Sequence, residues 1–184
     1  MKLRFVILPP IEIVRYSAKL ALDYASHFPV VYAVDNKKLQ PHITLFDVEI
    51  STADFKTVLT KAKRLFKDVR APKVAISGPW IYKPHQVLGI NVKVDKNYIK
   101  FRASLKKYFK SNGVSVFSRK TASFAHITLN KFKKLEDAVF ASKTMKKRTS
   151  SFVPDTLAIG IKDKFGQFEK RGKRFRIIKK FKLK

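Results

Sequence analysis

Two copies of one tetrapeptide carry the residues of this chain whose types and spacing could do chemistry. His42-Ile43-Thr44-Leu45 lies in the first half of the 184-residue chain and His126-Ile127-Thr128-Leu129 in the second, and only four histidines occur in total. Side chains alternate along a β-strand, so histidine and threonine of each copy would point to the same face. Two such strands across a groove would supply two imidazoles and two hydroxyls.

That set of groups suits the displacement of a phosphodiester. Imidazole titrates near neutral pH, so one ring can accept a proton while the other donates one to the leaving oxygen. The hydroxyls of Thr44 and Thr128 can hold the non-bridging phosphoryl oxygens. A metal site fits less well, because the chain has no cysteine and two histidines are an incomplete zinc set. Either copy alone would be an incidental surface strand, and the repetition is what favours a shared site.

The charge of the chain indicates a polyanionic ligand. Lysine and arginine number 41 against 13 aspartate and glutamate, a formal net charge of +28. Such a field attracts nucleic acid. The alternative is that the excess lysine only provides solubility or reflects the base composition of the genome. An anionic membrane surface fits less well, because no helix is both strongly basic and strongly apolar on one face.

The compartment follows from what the sequence lacks. No stretch approaches the roughly 20 apolar residues of a membrane span. The apolar run at 5–8 is shorter than the roughly 7–15 residues of a signal peptide core. Together with the absence of cysteine, these features favour a soluble, cytoplasmic protein. We expect a monomer, with RNA or a nucleotide as its partner and no cofactor.

Hydrophobic periodicity predicts an α+β protein. Strands are predicted at 2–8, 28–34, 42–50, 74–82, 87–94 and 124–129, with a strand or loop at 114–117 and a terminal pair at 152–161 and 173–181. Helices are predicted at 11–25, 55–66, 95–112 (with Asp95 as N-cap) and 135–145. The order of elements is roughly repeated in the two halves, and no linker divides them. We therefore expect residues 1–184 to form one two-lobed domain, each lobe contributing one motif.

The two motifs resemble those of the two-histidine (2H) phosphoesterase superfamily, most closely its 2′-5′ RNA ligase/2′,3′-cyclic phosphodiesterase branch. The pattern of that family is a pair of His-x-[Thr/Ser]-hydrophobic motifs in a pseudo-symmetric, two-lobed fold. The proline before His42 and the ending with Gly166 and Phe181-x-Leu183 are also similar. The resemblance implies antiparallel sheets that line a central groove, with helices outside.

The resemblance also implies an activity and the residues that carry it. The activity is metal-independent opening of 2′,3′-cyclic phosphates on RNA or nucleotides, typically to 2′-phosphates, or action on 2′-5′ linkages. By motif position, His42 and His126 are the acid/base pair, and Thr44 and Thr128 hold the phosphate. The family tendency suggests His42 as acid and His126 as base, without fixing that order. Many relatives carry arginine where this chain has Lys131, which keeps the charge but loses the bidentate fork.

Four further residues are candidates for substrate contact. Phe46 should share the face of His42 and Thr44, and Phe124 lies at the corresponding place before the second motif, so either ring could stack on a base. A place in the core is equally compatible with both. Arg119 lies in a polar link where it could meet a phosphate backbone or only solvent. By strand alternation Lys131 would face away from His126 unless the strand bends.

Other aromatic and histidine residues are expected to have structural roles. Trp80, Tyr82 and Phe117 are predicted to be core residues. His85 lies in a turn and His27 at a helix end, so both are expected to be exposed or capping residues rather than catalytic ones.

Two rival functions remain compatible with the sequence. A nucleotide- or RNA-end-binding module could use the same groove without turnover. An RNA-binding protein that depends on charge more than on the groove would lose affinity steeply with salt and would tolerate loss of both motif histidines.

Overall fold

The computed structural model describes residues 1–117, 125–168 and 176–183. Its strands are Lys2–Ile7 (β1), Val30–Ala33 (β2), Ile43–Glu49 (β3), Val74–Tyr82 (β4), Val87–Lys93 (β5), Ser115–Phe117 (β6), Ala125–Phe132 (β7), Thr149–Phe152 (β8), Thr156–Gly160 (β9) and Ile177–Lys182 (β10). Its α-helices are Ile11–His27 (α1), Phe55–Lys67 (α2), Lys96–Ser111 (α3) and Leu135–Thr144 (α4), and Lys83–His85 forms a turn of 3-10 helix.

All ten strands belong to one antiparallel sheet, and the two motif strands are neighbours at its centre. The order is β10-β9-β1-β3-β7-β5-β4-β8, with β2 added to β7 and β6 added to β3. The predicted α+β class and its antiparallel strands are confirmed. The two halves of the sheet meet where β3 pairs with β7, so the side chains of these two strands lie near the middle of the sheet.

Two helices pack on each half of the sheet, where one half contains β3 and the other contains β7. Helices α2 and α3 contact β10 and β6, on the side of β3. Helices α1 and α4 contact β7 and β4, in the half that contains β7. Helix α1 and strand β2 precede β3 in the chain and yet pack on β7, while β9 and β10 come last and lie in the half with β3. Each half of the sheet therefore contains elements from both halves of the sequence.

Stacked phenylalanine rings form much of the core on the β3 side. Phe5 and Phe46 stack with ring centroids 4.8 Å apart, and Phe109 of α3 lies 4.8 Å from Phe5. Phe66 of α2 extends the cluster to Phe181 of β10 at 5.0 Å. The rings join β1, β3 and β10 to both helices, and aromatic pairs of this kind dominate core energetics.

The predicted elements match the structure closely, except that strand β8 was not predicted. Asp95 is the N-cap of α3, where its side chain accepts a hydrogen bond from the Tyr98 amide at 2.7 Å. The predicted strand at 152–161 corresponds to β9, whereas β8 overlaps it only at Phe152 and pairs with a different strand. Pro154, which lies between them, has no amide hydrogen for a sheet ladder. In the part of the chain that the structure describes, none of the helices is long and apolar enough to span a membrane.

The Phe46 ring is expected to contribute strongly to stability. It is 2% exposed, and Phe46→Ala would remove a stacked, buried ring and leave a cavity. The free energy of unfolding should fall by about 3–5 kcal/mol in urea titrations followed by circular dichroism. Phe140→Ala is the matched control, because that ring is 57% exposed and its loss should have a much smaller effect. Equal losses in the two variants would contradict the assignment of Phe46 to the core.

Candidate active site

One cross-strand pair brings the two motifs together. Strand β3 pairs with β7 in antiparallel orientation at Ile43 and Ile127, and both isoleucines are fully buried. In such a pair the residues that flank each isoleucine point to the opposite face of the sheet. Thr44 and Thr128 therefore lie on one face, and antiparallel pairing sets each threonine beside the histidine of the other motif.

A β-bulge at Leu45 turns the first motif strand over. Val6 of β1 pairs with Thr44, while the preceding residue, Phe5, pairs with Phe46, so Leu45 is the extra residue. Since Phe5 and Val6 face opposite ways, Thr44 and Phe46 do too, and the predicted shared face of Phe46, His42 and Thr44 is wrong. Bulges change the facing of a strand in this way.

The polar groups of this bulge are met by a helix side chain. The Leu45 carbonyl accepts a hydrogen bond from Nε of Arg102, on α3, at 2.5 Å. An unpaired backbone carbonyl in the interior would be costly, so this contact stabilises the bulge. Helix α3 thus helps to determine which residues of β3 share the face of Thr44.

A second β-bulge occurs at the equivalent leucine of the other motif. Gly89 of β5 pairs with Thr128, and the preceding Leu88 pairs with Asn130, which leaves Leu129 as the extra residue. The Leu129 carbonyl accepts a hydrogen bond from the Val34 amide at 2.7 Å. The bulge brings Lys131, which strict alternation would have turned away, onto the face of Thr128.

His42 is held in one tautomer. Its Nδ1 lies 2.9 Å from the Gln40 carbonyl, which can only accept a hydrogen bond, so Nδ1 carries the proton and Nε2 has the lone pair. The ring is 5% exposed and packs against Phe168 at 4.8 Å between centroids. Burial and the nearby charge of Arg4 lower the pKa of His42 to about 4, against the weaker opposing effects of Gln40 and Asp47. The site therefore holds a neutral imidazole at pH 7.

Two cationic side chains, Arg4 and Lys162, form ion pairs with Asp47 on the face of Thr44. Asp47 accepts hydrogen bonds from Arg4 at 2.7 and 3.0 Å and from Lys162 at 2.7 Å, and Arg4 also donates to the Gly166 carbonyl at 2.8 Å. Burial acts to raise the pKa of Asp47, but these bonds and charges outweigh it and hold that pKa below its ordinary value. The group leaves net positive charge beside the motifs.

Trp80 stacks on His126, the histidine of the second motif. The prediction that Trp80 is a core residue is therefore wrong. The indole and the His126 ring lie 3.7 Å apart with 6° between their planes. Trp80 pairs with Gly89 across β4 and β5, and a Cβ on Gly89 would lie 3.3 Å from the indole. The absence of a side chain at Gly89 thus leaves room for the indole beside the β7 motif. The spacing of Trp80 and Gly89 in the sequence does not reveal this contact.

An aromatic and polar cluster borders the Lys131 end of the site. The Nζ of Lys131 lies 4.9 Å from the centre of the Phe165 ring, which itself lies 5.4 Å from the Tyr32 ring. Gln167 donates a weak hydrogen bond to the Tyr32 hydroxyl at 3.4 Å. Burial, the largest of the influences, raises the pKa of Tyr32 to about 12.

The remaining predicted residues comprise two outside the described ranges and two exposed histidines. Arg119 and Phe124 fall outside the described residues. His27 is exposed at the end of α1, where Nδ1 lies 2.8 Å from the Asp23 carbonyl, and His85 is exposed in the 3-10 turn. In the ranges that the structure describes, no three His, Asp or Glu side chains are grouped as metal ligands would be.

Comparison by sequence finds no match: no family model and no curated protein is similar to this chain. Solved structures are similar in fold. TT0787 of Thermus thermophilus has a TM-score of 0.64 at 15% identity, over 100% of this chain and 98% of that one. The complex of E. coli LigT with 3′-AMP has a TM-score of 0.61 at 18% identity, over 99% and 97%.

A third similar structure is the PDE domain of MHV ns2, with a TM-score of 0.58 at 11% identity. It covers 86% of this chain and 97% of that domain. The chain thus has the fold of the LigT-like 2H phosphoesterases, and the resemblance that the two motifs indicated is confirmed at the level of fold.

The protonation of His42 should make the protein less stable in mild acid. Its pKa is lower in the folded chain, about 4, than the ordinary 6.5, so the unfolded chain binds more protons between these values. The free energy of unfolding should therefore fall as pH decreases from 6.5 towards 4, by up to about 3 kcal/mol. Urea titrations of wild type and His42→Asn across this range measure it.

The variant should show a flatter dependence on pH than the wild type. An imidazole signal in NMR that titrates near pH 4, with the proton on Nδ1 above that pH, is the independent check. A midpoint near 6.5 for His42 would contradict the effect of burial.

Proposed function

We propose that this chain is a phosphodiesterase that opens 2′,3′-cyclic phosphates on RNA ends or nucleotides to 2′-phosphates, or cleaves 2′-5′ linkages. The observation that carries the proposal is the pairing of Ile43 with Ile127, which sets both motifs on one face of the sheet. In the proposed site, the two imidazoles and the two hydroxyls of the motifs would bind one phosphoryl group between them.

The comparisons support the class of substrate. E. coli LigT has been crystallised with 3′-AMP, and the similar domain of MHV ns2 is named as a phosphodiesterase. The net charge of +28 supports an anionic substrate, because such a field raises the association rate of polyanions. An RNA chain that ends in a cyclic phosphate would satisfy both requirements, because it carries a reactive phosphodiester at the end of a polyanion.

The two histidines differ in surroundings in a way that supports an assignment of roles. His42 is neutral, and the lone pair on Nε2 suits it to accept a proton from water. His126 lies flat against the face of Trp80, and the negative face of an indole stabilises positive charge on a stacked ring. We assign His42 as base and His126 as acid, the reverse of the order that the family tendency suggests.

Atoms and protons balance in the proposed step. Water attacks phosphorus, and its proton passes to Nε2 of His42 while the bond from phosphorus to the ribose 3′-oxygen breaks. The proton of the His126 imidazolium passes to that 3′-oxygen, which leaves a 2′-phosphate. The protons return to their starting positions through solvent. This is general acid–base catalysis with the two rings on opposite sides of the phosphorus.

Side chains on the same face would stabilise the charge of the transition state. The hydroxyls of Thr44 and Thr128 would donate to the non-bridging oxygens. Lys131, brought to this face by the bulge, would add positive charge without the bidentate geometry of arginine. Arg4 lies close enough to lower the pKa of His42 and adds positive charge beside the site, although Asp47 offsets part of it.

Each motif histidine should be essential to activity without added metal. In EDTA, wild-type protein should hydrolyse adenosine 2′,3′-cyclic phosphate. His42→Asn and His126→Asn should each lower kcat by a factor on the order of 10²–10⁴. The measurement is product formation by chromatography, with the 2′- and 3′-phosphate isomers resolved.

His27→Asn is the matched control, since that histidine is exposed at the end of α1 and should be dispensable. Full activity in either motif variant would overturn the proposal. Nucleotide binding without turnover in the wild type would instead favour the binding module.

The pH dependence of kcat/KM distinguishes the two assignments of acid and base. With His42 as base, kcat/KM should rise with pH through about 4, because the base acts once it has lost its proton. With His42 as acid, kcat/KM should fall above about pH 4. Rates between pH 3.5 and 8, restricted to the range where circular dichroism shows folded protein, decide between them.

A further inference from the structure

A row of aromatic rings leads away from the second motif along β4. The Trp80 ring stacks on His126 at 3.7 Å, and the Tyr82 ring follows at 6.1 Å from Trp80 with only 11° between their planes. His85 borders the outer end, with its ring 5.1 Å from that of Tyr82. The row thus begins at a proposed catalytic group and ends at the surface.

Strand register explains why the row lies on the face of the motifs. Trp80 pairs with Gly89, which pairs with Thr128. Two residues further along β4, Tyr82 pairs with Val87, which pairs with Lys131. Cross-strand partners share a face. Tyr82 therefore stands one step outward from Trp80, as Lys131 stands outward from Thr128.

The exposure of Tyr82 is not explained by packing. The residue is 36% exposed, whereas the rings of the phenylalanine core are buried. Its ring lies in the orientation of Trp80 without being part of the hydrophobic core. A flat ring held parallel to its neighbour and open to solvent is the arrangement that proteins use to stack nucleobases.

We infer that Tyr82, backed by Trp80, is a stacking site for the base of the penultimate nucleotide, the one directly 5′ to the nucleotide that bears the reacting cyclic phosphate. This deepens the proposed function and rests on it: the preferred substrate is then an oligonucleotide 3′ end rather than a free cyclic mononucleotide. The direction follows from the row itself, which starts beside His126 and runs outward.

The charges around the row fit this occupant. Lys83 directly follows Tyr82 and is exposed, and Lys131 lies across Val87 on the same face. Both add positive charge near Tyr82, while the Lys131 Nζ itself lies 4.9 Å from the Phe165 ring. An RNA chain supplies both the aromatic base and the phosphate, which an acidic peptide would not.

The only tryptophan of the chain provides the test. Trp80 fluorescence should be quenched when a nucleotide binds beside it. We would titrate wild-type protein with adenosine 2′-phosphate, with a diadenosine carrying the same 2′-phosphate, and with that dinucleotide lacking its 5′ base. The intact dinucleotide should bind about tenfold more tightly than the mononucleotide, the order that one base–aromatic stack supplies.

Two substitutions at Tyr82 form a matched pair. Tyr82→Phe keeps the ring and should keep the tenfold advantage of the dinucleotide. Tyr82→Leu keeps apolar bulk without the ring and should reduce the advantage to about twofold, the remainder being the extra phosphate. Thermal unfolding of both variants verifies that this exposed position does not alter folding.

The outcomes separate this inference from the proposed activity. An unchanged advantage in Tyr82→Leu, or equal affinity for the dinucleotide that lacks its 5′ base, would overturn the stacking site even if the protein hydrolyses cyclic phosphates. A tenfold advantage that depends on the ring supports the site even if turnover of every cyclic substrate is absent, in which case only the activity fails. Equal affinity of wild type for mononucleotide and dinucleotide also overturns it.

Discussion

The pairing of Ile43 with Ile127 is the constraint on which the rest of the molecule depends. It sets the register between β3 and β7, and it joins the two sides of the sheet. Both isoleucines are fully buried, so the apolar core fixes their facing, and the motif residues on either side must face the groove. A slip of one residue in either strand would bury a threonine and expose an isoleucine. The stability of the core and the geometry of the site are therefore set by the same contact.

The two leucine bulges divide each motif strand between two tasks. Before its bulge, each strand places a threonine on the face of the motifs. After the bulge, Phe46 of β3 points into the core, whereas Lys131 of β7 lies on the same face as Thr128. The bulges are stabilised from different places, by the Arg102 side chain in one strand and by the Val34 amide in the other. The same tetrapeptide thus continues differently in its two settings, with one strand joined to an aromatic core and the other extending the polar face.

Local patterns in the sequence were enough to predict the α+β class, nearly all the elements and the two motifs, because these depend on alternation and on caps such as Asp95. The residues placed wrongly depend on contacts between distant strands. Phe46 is turned over by a bulge, and a second bulge provides the bend on which the facing of Lys131 depended; nothing within either tetrapeptide distinguishes these positions from regular strand. Trp80 is recognised only when β4, β5 and β7 are aligned and Gly89 is found to leave room for its ring. The tautomer of His42 depends on the Gln40 carbonyl two residues away, a contact that spans Pro41.

The antiparallel pairing of the motifs has a consequence for the direction of the proposed chemistry. An approximate twofold axis passes between Ile43 and Ile127 and exchanges the two His-x-Thr units. A five-coordinate phosphorus in an in-line displacement has a similar axis, which exchanges the attacking and leaving oxygens. Placed on that axis, the transition state meets the same set of groups in the forward and the reverse reaction. The arrangement of the backbone therefore has no preferred direction, and the asymmetry must come from the unequal surroundings of the two rings: burial and Arg4 at one, the indole of Trp80 at the other.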